Sequence, residues 1–265
     1  MPQSTLKALS STTLNVTDVI PLYESDNHSI YWIGSQSDDD DEIACNTYLL
    51  VDEGEGYIFE PGGLSHFKGT FDKASSVLAS FDITHILLSH QDPDVCASLP
   101  SWIQFNPDIK VVCSHLWERF MPHYMVYNID YLCMPDQGLS IPLKSGGTLQ
   151  CLAAPYLHSP GNMVVFDSVS GFLFSGDIGA AVIPKDQPFS LSIADWSQQL
   201  ENMRRFHQRY MGSTRAAAAF AQQASKLPLT AILPQHGNIF RGDETEKFLA
   251  WFEVLPCGVD YLYLA

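Results

Sequence analysis

The stretch SHQDPDVCASLP, residues 89 to 100, sets His90, Asp92 and Asp94 at alternate positions immediately after the apolar run ITHILL. In an extended chain alternate side chains point to one side, so an imidazole and two carboxylates would converge where a strand runs out. Three further segments place a metal-ligand type at the end of an apolar run: LAAPYLHSPGNM carries His158, GFLFSGDIGAA carries Asp177 and LTAILPQHGNIF carries His236. Strand ends are where a rigid scaffold displays functional groups. The set of three imidazoles and three carboxylates, with no cysteine, describes a nitrogen and oxygen site rather than a thiolate zinc site. Six ligands exceed what a tetrahedral ion takes and suit two metals sharing a bridging carboxylate, with positions left for solvent or substrate. Without metal, that many carboxylates in one pocket repel, and some take up protons. A single histidine after a strand is ordinarily a hydrogen-bonded surface or core residue, and an aspartate after glycine is ordinarily a turn or cap residue. It is the four segments together that point to metal.

The elements that must position these residues are legible as alternating runs. Strand-like stretches SIYWIG, NTYLLVD and GYIFEPG come first, each closed by Gly, Asp or Pro, followed by helix-like spacing in HFKGTFDKASSVLASF and the buried-strand pattern ITHILLS. LPSWIQF starts a helix, IKVVCS a strand and LWERF a short helix; TLQCLAAPY, NMVVFD and GFLFSGD read as strands. The last third is mostly helical, IADWSQQLENMRRFHQRYM and RAAAAFAQQASKL, before the strand LTAILPQ and a final helix from Glu244 to Glu253. Strands, then helices, then the same order again predict two mixed sheets packed face to face with helices outside, a four-layer αββα sandwich. With no linker rich in Pro, Gly or Ser and no fixed repeat, residues 1–265 read as one domain.

Composition narrows the partners. Fourteen Lys and Arg against thirty Asp and Glu leave a formal charge of −16, which repels a nucleic-acid backbone. The acidic run Asp38 to Glu42 reads as a solvated loop tip. No apolar stretch is long enough for membrane insertion, the start MPQSTLKALSSTTLNV lacks the order of a signal peptide, and the expected address is the cytoplasm. Cys45, Cys96, Cys113, Cys133, Cys151 and Cys257 form no CxxC pair and read mostly as small core residues of a reducing compartment. His28, His66, His115, His123 and His207 sit in segments without ligand partners, and His85 within ITHILL reads as a packed or supporting residue.

These residues resemble the metallo-β-lactamase superfamily and, within it, the di-iron domain of the flavodiiron proteins. The hydrolases of that superfamily carry HxHxDH and the flavodiiron proteins HxExDH; here the stretch reads His90-Gln91-Asp92-Pro93-Asp94-Val95, with a carboxylate at Asp92 and Val95 in place of the last histidine. The likeness continues through NTYLLVDEG, HSPGNM, FSGDIG, RRFHQRYMGS and LPQHGNIFRG. It implies two iron ions: His90, Asp92 and His158 on one, Asp94 and His236 on the other, and Asp177 bridging. Val95 cannot ligate, so the second iron would have one protein ligand fewer and more room for a small ligand. Asp92, one methylene shorter than the family's Glu, is the least secure ligand. Nothing in the chain reads as a flavin module, and a flavin-free di-iron domain looks like the bacterial oxygen-binding di-iron proteins, whose role is to hold O2 and report it, often to chemotaxis receptors. The resemblance thus implies an O2-binding sensor with a signalling-receptor partner. A reductase of O2 or NO served by a separate electron donor and a binuclear metallohydrolase stay open, as does a homodimer.

Overall fold

Apolar residues fall into three groups separated by two sheets. In the computed structural model, which describes residues 5–6, 15, 17–34, 43–127, 129–184, 187 and 190–263, the first sheet contains β1 (Thr5–Leu6), β2 (Ile20–Glu24), β3 (His28–Trp32), β4 (Tyr48–Asp52), β5 (Glu55–Phe59), β6 (Ile83–Leu87), β7 (Lys110–Ser114) and β8 (Asp130–Met134), in that spatial order. β1 to β5 pair antiparallel, and β5 to β8 pair parallel through crossovers that carry helices. The second sheet runs β14-β13-β12-β11-β10-β9, built from β9 (Leu139–Pro142), β10 (Thr148–Ala153), β11 (Met163–Asp167), β12 (Phe172–Gly176), β13 (Ala231–Pro234) and β14 (Phe240–Arg241); within it only β12 and β13 pair parallel.

The core between the sheets joins Trp32, Tyr48, Leu50, Tyr57 and Phe59 of the first to Met163, Val165, Phe172, Phe174 and Leu233 of the second. Phe59 stacks on Phe174 across the interface with ring centroids 3.6 Å apart. A second core lies between the first sheet and helices α1 (Phe67–Val77), α2 (Pro93–Cys96) and α3 (Leu99–Phe105). A third lies between the second sheet and α4 (Trp196–Tyr210), α5 (Thr214–Ala224) and α6 (Asp243–Glu253), with the short α7 (Val259–Leu262) after them. Because each sheet is covered on both faces, β11 and β12 are buried at every position, which is why they read as unbroken apolar runs rather than alternating ones. This is the expected four-layer αββα sandwich.

Five strands went unanticipated, the two-residue β1 and β14 together with β2, β8 and β9. β8 and β9 sit at sheet edges and bury few of their side chains, so they lack a strong apolar signature. LWERF leads into a 3₁₀ helix at Glu118–Tyr124. The acidic run Asp38 to Glu42 lies outside the described residues. Among the described residues no helix is long and apolar enough to cross a membrane. His85 packs as expected, stacked 4.7 Å from the Tyr57 ring, with burial and then Lys110 pushing it down to about 4.

A fully buried ionic link crosses between the sheets. His28, on β3, puts Nδ1 2.8 Å from Asp52 Oδ1 of β4 and Nε2 2.9 Å from Asp167 Oδ2 of β11, all three fully buried. Both ring nitrogens can donate only when the ring is a cation. Burial works against that charge, but hydrogen bonds and attraction from Asp167 and then Asp52 outweigh it and raise the His28 pKa; Asp167 is held low in return, where the bond from His28 overcomes its own burial. The raised histidine contributes stability fully present below its usual value of about 6.5 and lost as pH rises through the folded-state value; Asp167 contributes stability lost as pH falls through its lowered value. His28→Gln, which leaves buried carboxylates unpaired, should cost about 3–5 kcal/mol near pH 6 in urea unfolding. The gap to the wild type should narrow as the pH is raised through the His28 transition; a gap independent of pH would show the ring to be neutral.

Candidate metal centre

All six residues singled out from the sequence lie at one end of the sandwich, on loops that leave the two sheets. The first sheet supplies the segment after β6. Asp92 precedes α2 as its N-terminal flanking residue and Pro93, whose fixed φ suits a first helical turn, starts the helix. The expected extended alternation therefore stops at Asp92: Asp94 stands in the first turn of α2, and the helix, not a strand, turns its carboxylate away from His90 and Asp92. The second sheet supplies His158 from the β10–β11 connection, Asp177 directly after β12 and His236 two residues after β13.

Two clusters result. Ligand atoms of His90, Asp92 and His158 lie within 4.8 Å of one another, and so do those of Cys45, Asp94 and His236. Asp177 stands between them. Its Oδ2 is 3.1 Å from His158 Nε2 and 3.7 Å from His90 Nε2, and its Oδ1 is 3.4 Å from His236 Nε2. Asp92 Oδ2 is 3.4 Å from His158 Nε2 and 3.6 Å from His90 Nε2, so the shorter side chain reaches the first cluster. Asp94 Oδ2 is 3.2 Å from His236 Nε2. Val95 offers no donor and is fully buried in the apolar cluster beneath the first sheet.

The supporting contacts orient the rings. His236 Nδ1–H donates to the Ala44 carbonyl at 3.0 Å and His90 Nδ1 meets Ser89 Oγ at 2.8 Å, which leaves Nε2 of each turned to the centre. His90 Nε2 and Asp177 Oδ1 are buried and take no hydrogen bond. Orphaned buried polar atoms of this kind are rare in a finished core, and a cation between them would satisfy both. Burial opposes charge on His158, yet Asp177 and then Asp92 push it up to about 10; Asp177, despite complete burial, is held down to about 2 by the histidines around it, His158 first. Burial lifts Glu60 to about 7 against the pull of His90 and the Ser89 N–H, whose bond Oε1 accepts at 3.1 Å. Nothing in the sequence pattern marks Glu60 as part of this surround.

His207, read as a histidine without ligand partners, supports the bridging loop. Its Nδ1–H donates to the Met203 carbonyl at 2.9 Å, so its Nε2 accepts from the Gly179 N–H at 2.9 Å, two residues beyond Asp177. Phe206 and Tyr210, one turn apart on α4, meet the His158 ring edge-on at 6.4 and 5.9 Å and flank that side. On the other side a cavity of about 430 Å³ lined by Ile43, Leu64, His66, Pro93 and Asp94 opens beside the second cluster.

The reading of the cysteines as mostly core residues holds for five of the six. Cys96, Cys113, Cys133, Cys151 and Cys257 do pack in or against apolar clusters, but Cys45 joins none of the three and stands with Asp94 and His236. Cys45 is thus placed where it could add a sulfur donor to the six residues read from the sequence. The sequence hid this because Cys45 precedes a strand, whereas the other candidates follow one.

Residues 43–237 match the family described as ODP family beta lactamase, well over half of the chain. The chain belongs to this family. Within the ODP family's fold, a solved structure of the peroxy diiron species of the chemotaxis sensor ODP superposes with a TM-score of 0.82 at 35% identity, covering 92% of this chain and 98% of that one. The apo state of the chemotaxis sensor ODP from T. denticola gives 0.84 at 36% identity, covering 92% and 97%. Among curated relatives, diflavin flavoprotein A 1 of Synechocystis is 23% identical over 176 residues, 64% of this chain but 30% of its own length. The chain thus spans about a third of that flavoprotein.

The approach of the sheets at this ODP-family site depends on Gly176. It has φ +55°, its carbonyl accepts the Gln235 N–H at 2.8 Å, and a Cβ there would meet Ser89 Oγ at 2.5 Å and Ser89 Cβ at 2.7 Å. Gly176→Ala should therefore cost at least about 1–3 kcal/mol through overpacking and the left-handed backbone. A urea midpoint equal to that of the wild type would show that Ser89 yields without cost.

Proposed function

We propose that this chain holds two iron ions, one at His90, Asp92 and His158 and one at Asp94 and His236 with Asp177 bridging, and that it binds O2 there as a sensor. The observation that carries this is the pair of donor clusters sharing Asp177, with His90 Nε2 and Asp177 Oδ1 buried and unsatisfied between them. Histidine nitrogens and carboxylate oxygens in this proportion suit iron. The likeness to a chemotaxis sensor whose solved form is a diiron species supports both the metal and the role. A signalling receptor of the chemotaxis class is the partner this reading names, with O2, or NO, as the small ligand.

A bound ferrous pair would supply O2 with an open position and two electrons, two short of the four needed to reach water. The chain's own residues shape what happens around it. Phe206 and Tyr210 flank the His158 ring, the carboxylates of Asp92 and Asp94 remain partly exposed, and the cavity beside Asp94 gives a diatomic ligand a way in. Gln235 Nε2–H donates to Asp94 Oδ2 at 3.2 Å and holds that carboxylate toward His236.

The test is anaerobic purification, elemental analysis and admission of one equivalent of O2 with the visible spectrum recorded. Two irons and a long-lived charge-transfer band support the sensor; rapid turnover of many equivalents with a generic electron donor would replace it with a reductase, and zinc with hydrolytic activity would replace it with a metallohydrolase. Asp177→Ala should cost both metals and His236→Ala mainly one, read as metal per chain. Two irons retained in Asp177→Ala would overturn the bridging assignment.

A further inference from the structure

The two clusters are unequal in a way the six-residue set does not explain. The first has His90, Asp92 and His158 beside Asp177, whereas the second has only Asp94 and His236, and Val95 gives nothing because it lies in the apolar cluster. The position that completes the second cluster is filled by sulfur. Cys45 Sγ lies within 4.8 Å of ligand atoms of both Asp94 and His236, and Asp177 Oδ1, buried and without a hydrogen bond, faces His236 from the neighbouring strand end of the same sheet. We infer that Cys45 is a thiolate ligand of the second metal, so that the pair is asymmetric, one metal held by nitrogen and oxygen alone and the other by nitrogen, oxygen and sulfur. This rests on the two-metal reading above.

The placement of Cys45 is built rather than incidental. The chain on either side of it is stitched to the segment that carries His236. The Ala44 carbonyl accepts from His236 Nδ1, and Asn46 donates through its backbone to the Gln235 carbonyl. The Asn46 side chain donates to the Pro234 and Gly237 carbonyls, each at 2.9 Å, while accepting from Trp32 Nε1 at 2.8 Å. Tyr48 Oη donates to the same Pro234 carbonyl at 2.7 Å. These bonds leave Cys45 no freedom to move away from His236. Its own thiol has only a long contact, 3.5 Å to the Ile43 carbonyl, and at 3% exposure it is shielded from solvent without lying among apolar side chains. A cysteine kept for packing has apolar neighbours; this one has an imidazole and a carboxylate.

Thiolate coordination also closes the charge balance. Asp92, Asp94 and Asp177 bring three negative charges and a thiolate a fourth, matching two divalent ions. On binding, the S–H bond breaks, its proton passes to solvent and the sulfur lone pair forms the bond to the metal; no electron is transferred. Iron accepts thiolate readily, and the added donor would make the second metal electron-richer than the first.

Cobalt(II) added anaerobically to the metal-free full chain reports thiolate ligation through a near-ultraviolet charge-transfer band. The wild type should take up two cobalt ions and show the band. Cys45→Ser should lose it and bind its second cobalt more weakly, by at least the roughly 10–100-fold that loss of an outer-shell partner costs. His158→Ala should keep it. Two bound cobalt ions with no band, or a band that survives in Cys45→Ser, would overturn the cysteine assignment while leaving the two-metal reading intact. Failure of the wild type to bind two metals would overturn that reading itself. Should Cys45→Ser fail to fold, X-ray absorption of the iron-loaded wild type decides: scattering from one sulfur per iron pair is expected, and its absence would overturn the inference.

Discussion

The site exists only where two sheets meet, and the packing between them is the constraint on which everything else depends. His90, Asp92 and Asp94 come from the first sheet, His158, Asp177 and His236 from the second, and Cys45 from the approach to β4. A slip of one sheet over the other would separate Asp177 from His90 before it disturbed any single loop. The interface resists slipping because it is filled by aromatic and branched side chains at crystal-like density, with Phe59 stacked on Phe174 and Tyr48 edge-on to the same ring. At the end away from the site, His28 ties Asp52 of one sheet to Asp167 of the other. At the site end the Met163 N–H donates to the Ser89 carbonyl, and Asn46 and Tyr48 reach across to the turn after β13. Directional bonds at both ends fix a register that apolar packing alone would leave looser.

Within that frame the chemistry follows from concentrating like charge. Three carboxylates face a largely buried space, and they draw the histidines beside them toward the protonated form, His158 most plainly, which Asp177 and then Asp92 raise against its burial. Each such proton occupies a place where a cation gains more. Metal binding is therefore coupled to proton release, and binding free energy becomes folding free energy for the loops that carry the ligands. The loops need that contribution, since Asp92 and Asp94 remain partly exposed and their segment is held by a helix of a single turn.

Four of the segments that make the site could be read from the sequence because each obeys one simple rule, a polar ligand type where an apolar run ends. The layered fold was legible for the same reason: runs buried on both faces, such as β11 and β12, leave long apolar stretches whose punctuation is clear. What stayed hidden departs from that rule. The edge strands β8 and β9 bury too little to be marked. Pro93 converts an apparent alternation into a helix start, so that Asp94 joins a different cluster from its neighbours. Glu60 and His207 act through the groups they touch, and Cys45 enters from the N-terminal side of a strand, where no pattern points.

The unequal clusters bear on how O2 would be handled. In a symmetric pair each metal meets a diatomic ligand with the same donors, and binding favours neither end. Here Phe206 and Tyr210 flank His158 on the first side, while the cavity lined by Pro93 and Asp94 opens beside the second. Access and ligand type are thus both asymmetric, and they coincide: the more open side is the one carrying Cys45. Its neighbours Leu64 and Ile43 are exposed at 64% and 54% on the rim of that cavity. Any movement of Asp94 on ligand binding would therefore reach this exposed rim directly, because Asp94 itself lines the cavity.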